Sequence, residues 1–369
     1  MAWYKGGTST HLRTLANMPC RPAISSHSLG RAWVHDMPSK LDQALKYGFD
    51  IELFYEDLIY VAKAMPDGPT PQNLLAAAQI IRSLCDERDI AIVCLQPFMH
   101  YEGLRDRRKH AERIDELQLW IRVAKVLNTK IISIPSTFLS SSRASGDIDL
   151  IVADLREAAD LGAADDIQFA YESLAWGTYA DTWEQSWEIV QLVDRPNFGI
   201  CLDTFNMAGR MYADPASDTR RTPNAAAETK ASIERLVKII DPKKIVYVQV
   251  VDAEYLAEPL TEGHEYYVEG QPVRMSWSRN CRLFYGEQDR GAYLPVKAIL
   301  KAILTDLKWE GWVSAELFNT SLTSASPSVP AEHAERAAVA WEKMVRDFDL
   351  QSDLVRVRSK GLDLPRAQL

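Results

Sequence analysis

A short apolar run followed by a helix-periodic stretch occurs eight times in this chain of 369 residues. The runs are rich in Ile, Val, Leu and Phe, and such continuous hydrophobicity is typical of strands buried on both faces of a parallel sheet. We predict strands at 23–25, 50–54, 91–96, 130–134, 167–172, 198–203, 245–251 and 312–317. We predict helices at 39–47, 73–88, 107–127, 148–161, 182–192, 225–239, 295–304 and 331–348. Eight successive strand–helix units favour an α/β fold in which the sheet closes into a (β/α)8 TIM barrel.

The alternative architecture is an open, doubly wound sheet, which commonly carries a glycine-rich phosphate-binding turn after its first strand. The segment that follows the first predicted strand here, SHSLGRAW, contains neither that turn nor a P-loop. The sequence therefore favours the closed barrel.

One connection is much longer than the others. Roughly forty residues, 252–291, separate the seventh strand from its helix, and they include several aromatic residues and arginines. Loops that follow barrel strands form the active-site face of this fold. We therefore predict that this strand-7 to helix-7 insertion is a lid or a pocket wall.

The predicted barrel occupies residues 19–350 as a single domain. Residues 1–18 contain no acidic residue and are predicted to be a flexible leader, with a transit peptide or a start at Met18 as alternatives. Residues 351–369 are predicted to be a C-terminal tail.

The composition limits the possible partners and the compartment. Lys and Arg total 42 against 51 Asp and Glu, a formal net charge of −9, which disfavours a surface for nucleic acid. No apolar run approaches the roughly 20 residues of a membrane span, so no membrane partner is expected. The five cysteines lack the spacing of a zinc site or a disulfide framework, and we interpret them as buried thiols of a cytoplasmic protein. The oligomeric state stays open.

Polar residues at the ends of the last four buried strands are the strongest functional signal. The strands end in FAYES, ICLDTFN, VYVQVVD and VSAELF, which supply Glu172, Asp203, Gln249 and Glu316. In a barrel these ends converge on the axis, and several buried carboxylates there would repel one another unless a cation offset their charge. Oxygen donors of this kind suit one divalent cation, Mg²⁺, Mn²⁺ or Co²⁺. The alternative is a set of rim residues or salt-bridged core carboxylates.

Histidines and arginines on the same face are further candidates. His100 lies just beyond the third strand and is predicted to be catalytic, because imidazole titrates near neutral pH. Arg279 and Arg282 in the long insertion are predicted to bind a substrate carboxylate, which matches the planar guanidinium. Each could instead be an ordinary loop residue. His27 is left open between the two roles. Glu52 on the second strand is either a hydrogen-bond partner that supports a site residue or a buried ion-pair member, and a structural role is slightly favoured.

Eight segments together resemble the fungal 3-dehydroshikimate dehydratases of quinate catabolism: ISSHSLGR, GFDIELFYEDL, VCLQPFMHYEGL, FAYESLAW, RPNFGICLDTFN, VYVQVVDAE, MSWSRNCRLFYGE and GWVSAELFN. The wider relatives are the xylose-isomerase-like barrels. The resemblance implies a metal-dependent hydro-lyase that dehydrates 3-dehydroshikimate to protocatechuate. It also places the four strand-end oxygen donors at the ligand positions of the family.

The chain departs from the wider superfamily at one position. Bacterial relatives often carry a histidine three residues after the aspartate of the sixth strand, where this chain has Asn206. Asn206 is predicted to hydrogen-bond the substrate, but an amide cannot act as a base. Any proton transfer is therefore expected elsewhere, with His100 as the candidate either to take the proton or to protonate the departing hydroxyl.

Other functions remain open at this point. The same oxygen cluster suits a sugar or keto-acid isomerase or an inosose-type dehydratase, because all three reactions form an enediolate that a metal ion stabilises. A barrel endonuclease acting on abasic sites would need more histidines and a basic surface than this chain has. A non-enzymatic barrel that binds a metabolite and regulates would be expected to have a broken donor set.

Overall fold

The computed structural model describes residues 19–350, so the predicted leader and tail lie outside the described residues. Eight parallel strands close into a barrel in the order β1-β10-β7-β6-β5-β4-β3-β2. The barrel strands are β1 Cys20–Ser25, β2 Asp50–Phe54, β3 Ile92–Gln96, β4 Ile131–Pro135, β5 Gln168–Glu172, β6 Phe198–Asp203, β7 Ile245–Gln249 and β10 Gly311–Ala315. The predicted (β/α)8 barrel is confirmed.

Strand β1 is longer than predicted. It begins at Cys20 rather than at residue 23, and it pairs with β10 from Cys20 opposite Gly311 onward. The polar Arg21 hides this part of the strand from an apolar pattern, and its guanidinium lies 3.8 Å above the ring of Trp312 in the neighbouring strand. A cation on an aromatic face compensates for the missing apolar side chain.

The α-helices surround the barrel or follow its strands. They are Met37–Tyr47, Tyr55–Lys63, Pro71–Asp86, Arg107–Leu127, Ile148–Ala163, Trp183–Val193, Thr204–Met211, Ala225–Ile239, Val273–Cys281, Val296–Leu300 and Val329–Phe348. Helix Val296–Leu300 continues as a π-helical stretch, Lys301–Asp306. All eight predicted helices are present, and three additional ones begin where the sequence analysis had only loops: Tyr55–Lys63, Thr204–Met211 and Val273–Cys281.

Capping explains several of the helix ends. Helix Trp183–Val193 begins with a complete capping box, in which Thr182 and Gln185 satisfy one another's backbone amides. Helix Met37–Tyr47 begins with Asp36 accepting from the Ser39 amide and ends at a left-handed glycine, Gly48. These local signals agree with the tertiary fold.

The long connection after β7 is folded rather than open. It forms a two-stranded antiparallel sheet, β8 Asp252–Ala253 with β9 Arg282–Leu283, and helix Val273–Cys281 lies between these strands. Trp277 of that helix is fully buried, donates to the carbonyl of Glu254 at 3.1 Å and contacts the ring of Phe205. The connection is thereby fixed against the barrel mouth.

All five cysteines are buried and free, as predicted. Within residues 19–350, no helix is both long enough and apolar enough to cross a membrane.

Candidate active site

The four predicted oxygen donors lie at neighbouring strand ends of the barrel. Glu172, Asp203 and Gln249 are the last residues of β5, β6 and β7, and Glu316 directly follows β10. Asp203 and Gln249 are register partners in adjacent strands. All four side chains are buried. They lie on one face because the carboxyl ends of parallel barrel strands all face the same end of the barrel.

Two side chains tie the carboxylates together. The amide nitrogen of Asn206 donates to Glu172 Oε1 at 2.7 Å and to Asp203 Oδ2 at 2.8 Å. Arg282 Nη1 donates to the same Asp203 oxygen at 2.9 Å and to Glu316 Oε2 at 3.0 Å. Three carboxylates on three strands are therefore joined through two nitrogen atoms.

Asn206 is held in place by the helix that starts at the site. Asp203 caps helix Thr204–Met211 by accepting from the Phe205 amide at 2.7 Å. Asn206 lies in the first turn of this helix, and its side-chain oxygen accepts from the Ala175 amide at 3.0 Å. The nitrogen and the oxygen of the Asn206 amide thus both hydrogen-bond to protein groups. The contact of Asn206 with substrate stays a prediction.

Arg282 is the buried cation of the site, with only 2% of its side chain exposed. Its guanidinium lies 4.3 Å from the ring of Phe205 and 5.0 Å from that of Phe318. Its Nε donates to Ser278 Oγ at 3.0 Å, one helical turn earlier. Aromatic faces and charge-assisted hydrogen bonds replace the water that a guanidinium loses on burial.

The carboxylates outnumber this cation. Burial, followed by repulsion from Asp203 and Glu316, raises the pKa of Glu172 well above its ordinary value. Burial also raises the pKa of Glu316, although Arg282 opposes the shift. If all three carboxylates were ionised, the one guanidinium would leave two negative charges without a counter-charge among residues 19–350, and the raised pKa values express the cost of that state. The donor set therefore fits a divalent cation, which would supply those two charges.

A fourth buried acid lies among the barrel strands. Glu52 of β2 accepts from the Gln249 amide nitrogen at 2.9 Å and from the Ser314 hydroxyl. Burial raises its pKa to about 6. Gln249 is fully buried, and its amide oxygen lies 3.5 Å from the thiol of Cys201.

A cavity of about 310 Å³ opens above the carboxylates. Glu172, Glu316 and Arg282 line it. Four aromatic rings, those of Phe54, Phe138, Trp176 and Phe318, also line it, together with aliphatic and polar side chains. Helix Val273–Cys281 contributes Met275, Ser278 and Arg279, so the long insertion forms part of the cavity wall. This volume and an apolar wall with a few polar groups are typical of a small-molecule site.

Two more arginines line this cavity. Arg279 donates to Gln271 at 2.9 Å, and burial followed by the nearby Arg31 guanidinium lowers the pKa of Arg279. Arg31 is oriented by Glu56, 3.7 Å away, and by the ring nitrogen of His27 at 3.3 Å. Two adjoining guanidinium groups in one cavity favour an anionic ligand.

His27 is a buried structural neighbour of this pair. Its ring lies between those of Phe54 and Phe318, with centroids 4.6 and 4.4 Å away. Burial and then Arg31 lower the pKa of His27 well below its ordinary value, so the imidazole is neutral. It supports the arginine rather than facing the cavity, which it does not line.

His100 lines an adjacent cavity of about 360 Å³, whose wall shares Pro97 and Met99 with the first. Its Nδ1 lies 3.3 Å from the hydroxyl of Thr137. Burial, followed by Arg113, lowers the pKa of His100 to about 4. The structure therefore places a neutral imidazole in the adjoining cavity and not in the lining of the carboxylate cavity, and its catalytic role stays a prediction.

A second group of possible metal ligands lies on the outer helices. Suitable atoms of His110, Asp154 and Glu157 fall within 4.8 Å of one another, which is true of no other three His, Cys, Asp or Glu residues within 19–350, so the three strand-end carboxylates do not all lie this close together. Asp154 is already paired with Arg107 through both guanidinium nitrogens and accepts from the Gly103 amide. We interpret this group as an ion-pair network between helices.

Comparison with known proteins agrees with this site. The sequence model described as "xylose isomerase-like TIM barrel" matches residues 41–343. The chain belongs to this barrel family. Within the family it is 54% identical over 341 residues to the 3-dehydroshikimate dehydratase of Neurospora crassa, which covers 90% of this chain and 95% of that protein. The resemblance drawn from the eight sequence segments is confirmed.

Solved structures of the family share the fold. A xylose isomerase-like TIM barrel/4-hydroxyphenylpyruvate dioxygenase fusion protein matches 95% of this chain with a TM-score of 0.67 and 25% identity, and the chain covers 46% of that longer protein. The IOLI protein, whose crystal structure holds a zinc atom, matches 89% of this chain and 99% of its own with a TM-score of 0.66 and 19% identity.

Three residues of the site were not predicted from the sequence. Arg31 lies in the loop after β1, and Gln96 ends β3 and donates to Glu316 Oε1 at 2.7 Å. Gln96 satisfies the criterion that identified the other strand-end residues, a polar side chain at the end of a buried strand. Arg31 could have been identified only as a basic residue in a loop that follows a barrel strand, which is a weaker indication because charged loop residues are common. Ser278 had no signal, because its role depends on the unpredicted helix.

Proposed function

We propose that the protein is a divalent-metal-dependent 3-dehydroshikimate dehydratase, a hydro-lyase that forms protocatechuate and water. The observation that carries the proposal is a single cavity with buried oxygen donors at its base and three arginines in its wall. The identity to the Neurospora crassa enzyme supports the choice of substrate. An arginine-lined cavity favours an acid over the neutral sugars of an isomerase.

Glu172, Asp203, Gln249 and Glu316 would hold the cation, with Mg²⁺, Mn²⁺ or Co²⁺ preferred by oxygen ligands. When bound, the cation would stabilise negative charge that develops on the ketone oxygen of the substrate. Asn206 and Arg282 hold the carboxylates in place from two sides. The side chains that bind the cation are thus kept together by the protein itself.

Arg279 and Arg31 would bind the substrate carboxylate from the cavity wall, and Arg282 would neutralise charge deeper in the site. Arg279 and Arg282 are three residues apart on one helix and its C-cap, so their spacing is fixed by the fold. The aromatic wall excludes water from the reacting carbons.

His100 is the proposed proton-transfer group. Its imidazole is neutral, but burial lowers its pKa to about 4, so it is a weak base at neutral pH, and the proposal requires that the bound substrate anion raises this pKa. We place the protein in the cytoplasm, where a reducing environment keeps five buried thiols free.

Absorbance of the catechol product, formed from 3-dehydroshikimate with and without a chelator, tests the proposal directly. We expect turnover that the chelator abolishes and Mg²⁺, Mn²⁺ or Co²⁺ restores. Full activity in a demonstrably metal-free preparation contradicts the metal dependence. Turnover of neutral sugars but not of 3-dehydroshikimate supports an isomerase instead.

Variants of the arginines test the substrate orientation. Arg31→Met and Arg279→Met should each lower kcat/KM by on the order of ten- to a hundredfold, since a charge-assisted hydrogen bond contributes about 1.5–3 kcal/mol. Metal binding should be unchanged in both. If neither variant changes kcat/KM by more than about twofold, the carboxylate is bound by other residues.

A further inference from the structure

We propose that Glu52 is a positioning residue that holds the amide of Gln249 in the one orientation that leaves its oxygen available to a metal ion. This inference rests on the proposed metal site. It assigns a function to a buried acid that the sequence analysis interpreted as structural.

Glu52 lies in the interior of the barrel and is completely buried. One carboxylate oxygen accepts from the Gln249 amide nitrogen at 2.9 Å, and the other accepts from the hydroxyl of Ser314. Ser314 and Gln249 are register partners in β10 and β7. The carboxylate is thereby held across the barrel against two adjacent strands, so it has little freedom to move.

The orientation of the amide decides whether Gln249 can be a ligand. A side-chain amide has nearly the same shape in both orientations, but only its oxygen binds a metal ion. An ionised carboxylate is an acceptor only, so the amide nitrogen must face Glu52. The flipped amide would set oxygen against oxygen in a buried site. Glu52 therefore excludes the orientation in which Gln249 could not bind the metal.

The weak donor on the other end of the amide agrees with this arrangement. The Cys201 thiol lies 3.5 Å from the Gln249 oxygen, and a thiol is a poor donor that leaves lone-pair capacity on the oxygen. The Gln249 nitrogen thus makes a strong hydrogen bond to Glu52, and the Gln249 oxygen makes only a weak one with Cys201. That distribution is expected for an amide that binds a cation.

A merely structural role makes a different prediction. If Glu52 only satisfied its buried neighbours, its replacement would lower stability without a specific effect on metal affinity. If it acted only through its negative charge, every neutral replacement would weaken metal binding equally. Positioning predicts that a neutral side chain with a carbonyl in the same place retains the affinity.

Calorimetric titration with Mn²⁺ separates these roles. We expect Glu52→Met to weaken Mn²⁺ binding by about tenfold or more, as for other groups that orient a ligand. Glu52→Gln should stay within about threefold, because its carbonyl can accept from Gln249 while its amide donates to Ser314. Glu102→Met is the matched control. Glu102 is an equally buried acid that accepts from Thr137 and Tyr171 and contacts none of the four proposed ligands.

A reciprocal exchange provides a second measurement should Glu52→Met fail to fold. Gln249→Glu alone places two carboxylates in contact and should weaken Mn²⁺ binding. Adding Glu52→Gln restores a donor between the two positions and should recover the affinity.

Unchanged Mn²⁺ affinity in Glu52→Met overturns the inference, as does equal weakening in Glu52→Gln and Glu52→Met. In the exchange pair, failure of the double variant to recover affinity overturns it too. If the wild-type protein binds no Mn²⁺, the proposed metal site itself is wrong and the inference falls with it. Binding by the wild type together with a Glu52→Met variant that binds equally well contradicts only the role of Glu52.

Discussion

Replacement of Arg282 by Met should destabilise the metal-free protein and should do so less when a divalent cation is present. The guanidinium is shared by Asp203 at 2.9 Å and Glu316 at 3.0 Å, and none of the three side chains is more than 6% exposed. Removing one partner of a buried ion pair costs about 3–5 kcal/mol, because the remaining charge has neither water nor a counter-ion. Methionine is long enough to keep the contacts with the two flanking aromatic rings.

The measurement is urea unfolding of both proteins in chelator and in Mn²⁺. In chelator, the free energy of unfolding should fall by about 3 kcal/mol or more. A ligand at a hundred times its Kd stabilises the folded state by about 2.7 kcal/mol. The cation should stabilise the variant more than the wild type, because in the variant Asp203 and Glu316 have lost the guanidinium and the cation replaces its charge.

Arg279→Met is the matched control. Arg279 lies three residues earlier and lines the same cavity, and its side chain donates to Gln271 with no carboxylate partner among residues 19–350. Its replacement should change stability by less than about 1 kcal/mol. A loss below about 1 kcal/mol for Arg282→Met in chelator, or the same loss in chelator and in Mn²⁺, would refute this account of the site.

Two further predictions concern the metal ligands and a remote histidine. Asp203→Asn and Glu316→Gln should each lose most of the Mn²⁺ affinity while circular dichroism shows an intact fold, and normal calorimetric binding by either variant would mean that the residue is not a ligand. His333 is fully buried, with Nδ1 2.8 Å from the Ser28 carbonyl and Nε2 3.0 Å from the Ser321 hydroxyl, and burial lowers its pKa from 6.5 to about 4. Between pH 6.5 and about 4, His333 is therefore protonated in the unfolded chain but neutral in the folded protein. The free energy of unfolding is unaffected by this difference above pH 6.5, and it falls by about 3 kcal/mol as the pH decreases to 4. Urea unfolding of His333→Gln should show a correspondingly smaller loss of stability over this range, and parallel curves for the variant and the wild type would disprove the assignment.

The barrel could be predicted from the sequence because its signal is repeated and continuous. Strands β2 and β6 have the predicted bounds, although β2 contains Asp50 and Glu52 and β6 ends in Asp203, because the apolar residues around these carboxylates still mark a short buried segment. The three unpredicted helices are short or contain polar and aromatic residues without a clear periodicity. Helix Val273–Cys281 depends on the contact of Trp277 with Phe205 and on the barrel surface beneath it. A tertiary contact of this kind leaves no local pattern in the sequence.

The residues of the site could be named from the sequence, but their partners could not. Glu172, Asp203 and Glu316 were identifiable as polar residues that end buried strands. Arg282 lies between these carboxylates, whereas Arg279 lies in the cavity wall. This difference depends on the direct transition from helix Val273–Cys281 into β9. The orientation of Gln249 depends on Glu52, which is 197 residues away in the chain. Such long-range hydrogen bonds become visible only once the barrel is closed.

The folded connection between β7 and the next helix has a consequence for how the family can change. The barrel strands supply the negative charges of the cavity, whereas one continuous segment, 252–291, supplies both Arg279 and Arg282. Two of the three arginines of the cavity are therefore carried on this single module, with Arg31 supplied by the loop after β1, while the carboxylates belong to the barrel. Loss of the module would leave Asp203 and Glu316 without the buried guanidinium that pairs with them among residues 19–350, so the barrel and the module depend on one another for stability. New substrates are more readily reached by substitutions within the module than by its deletion.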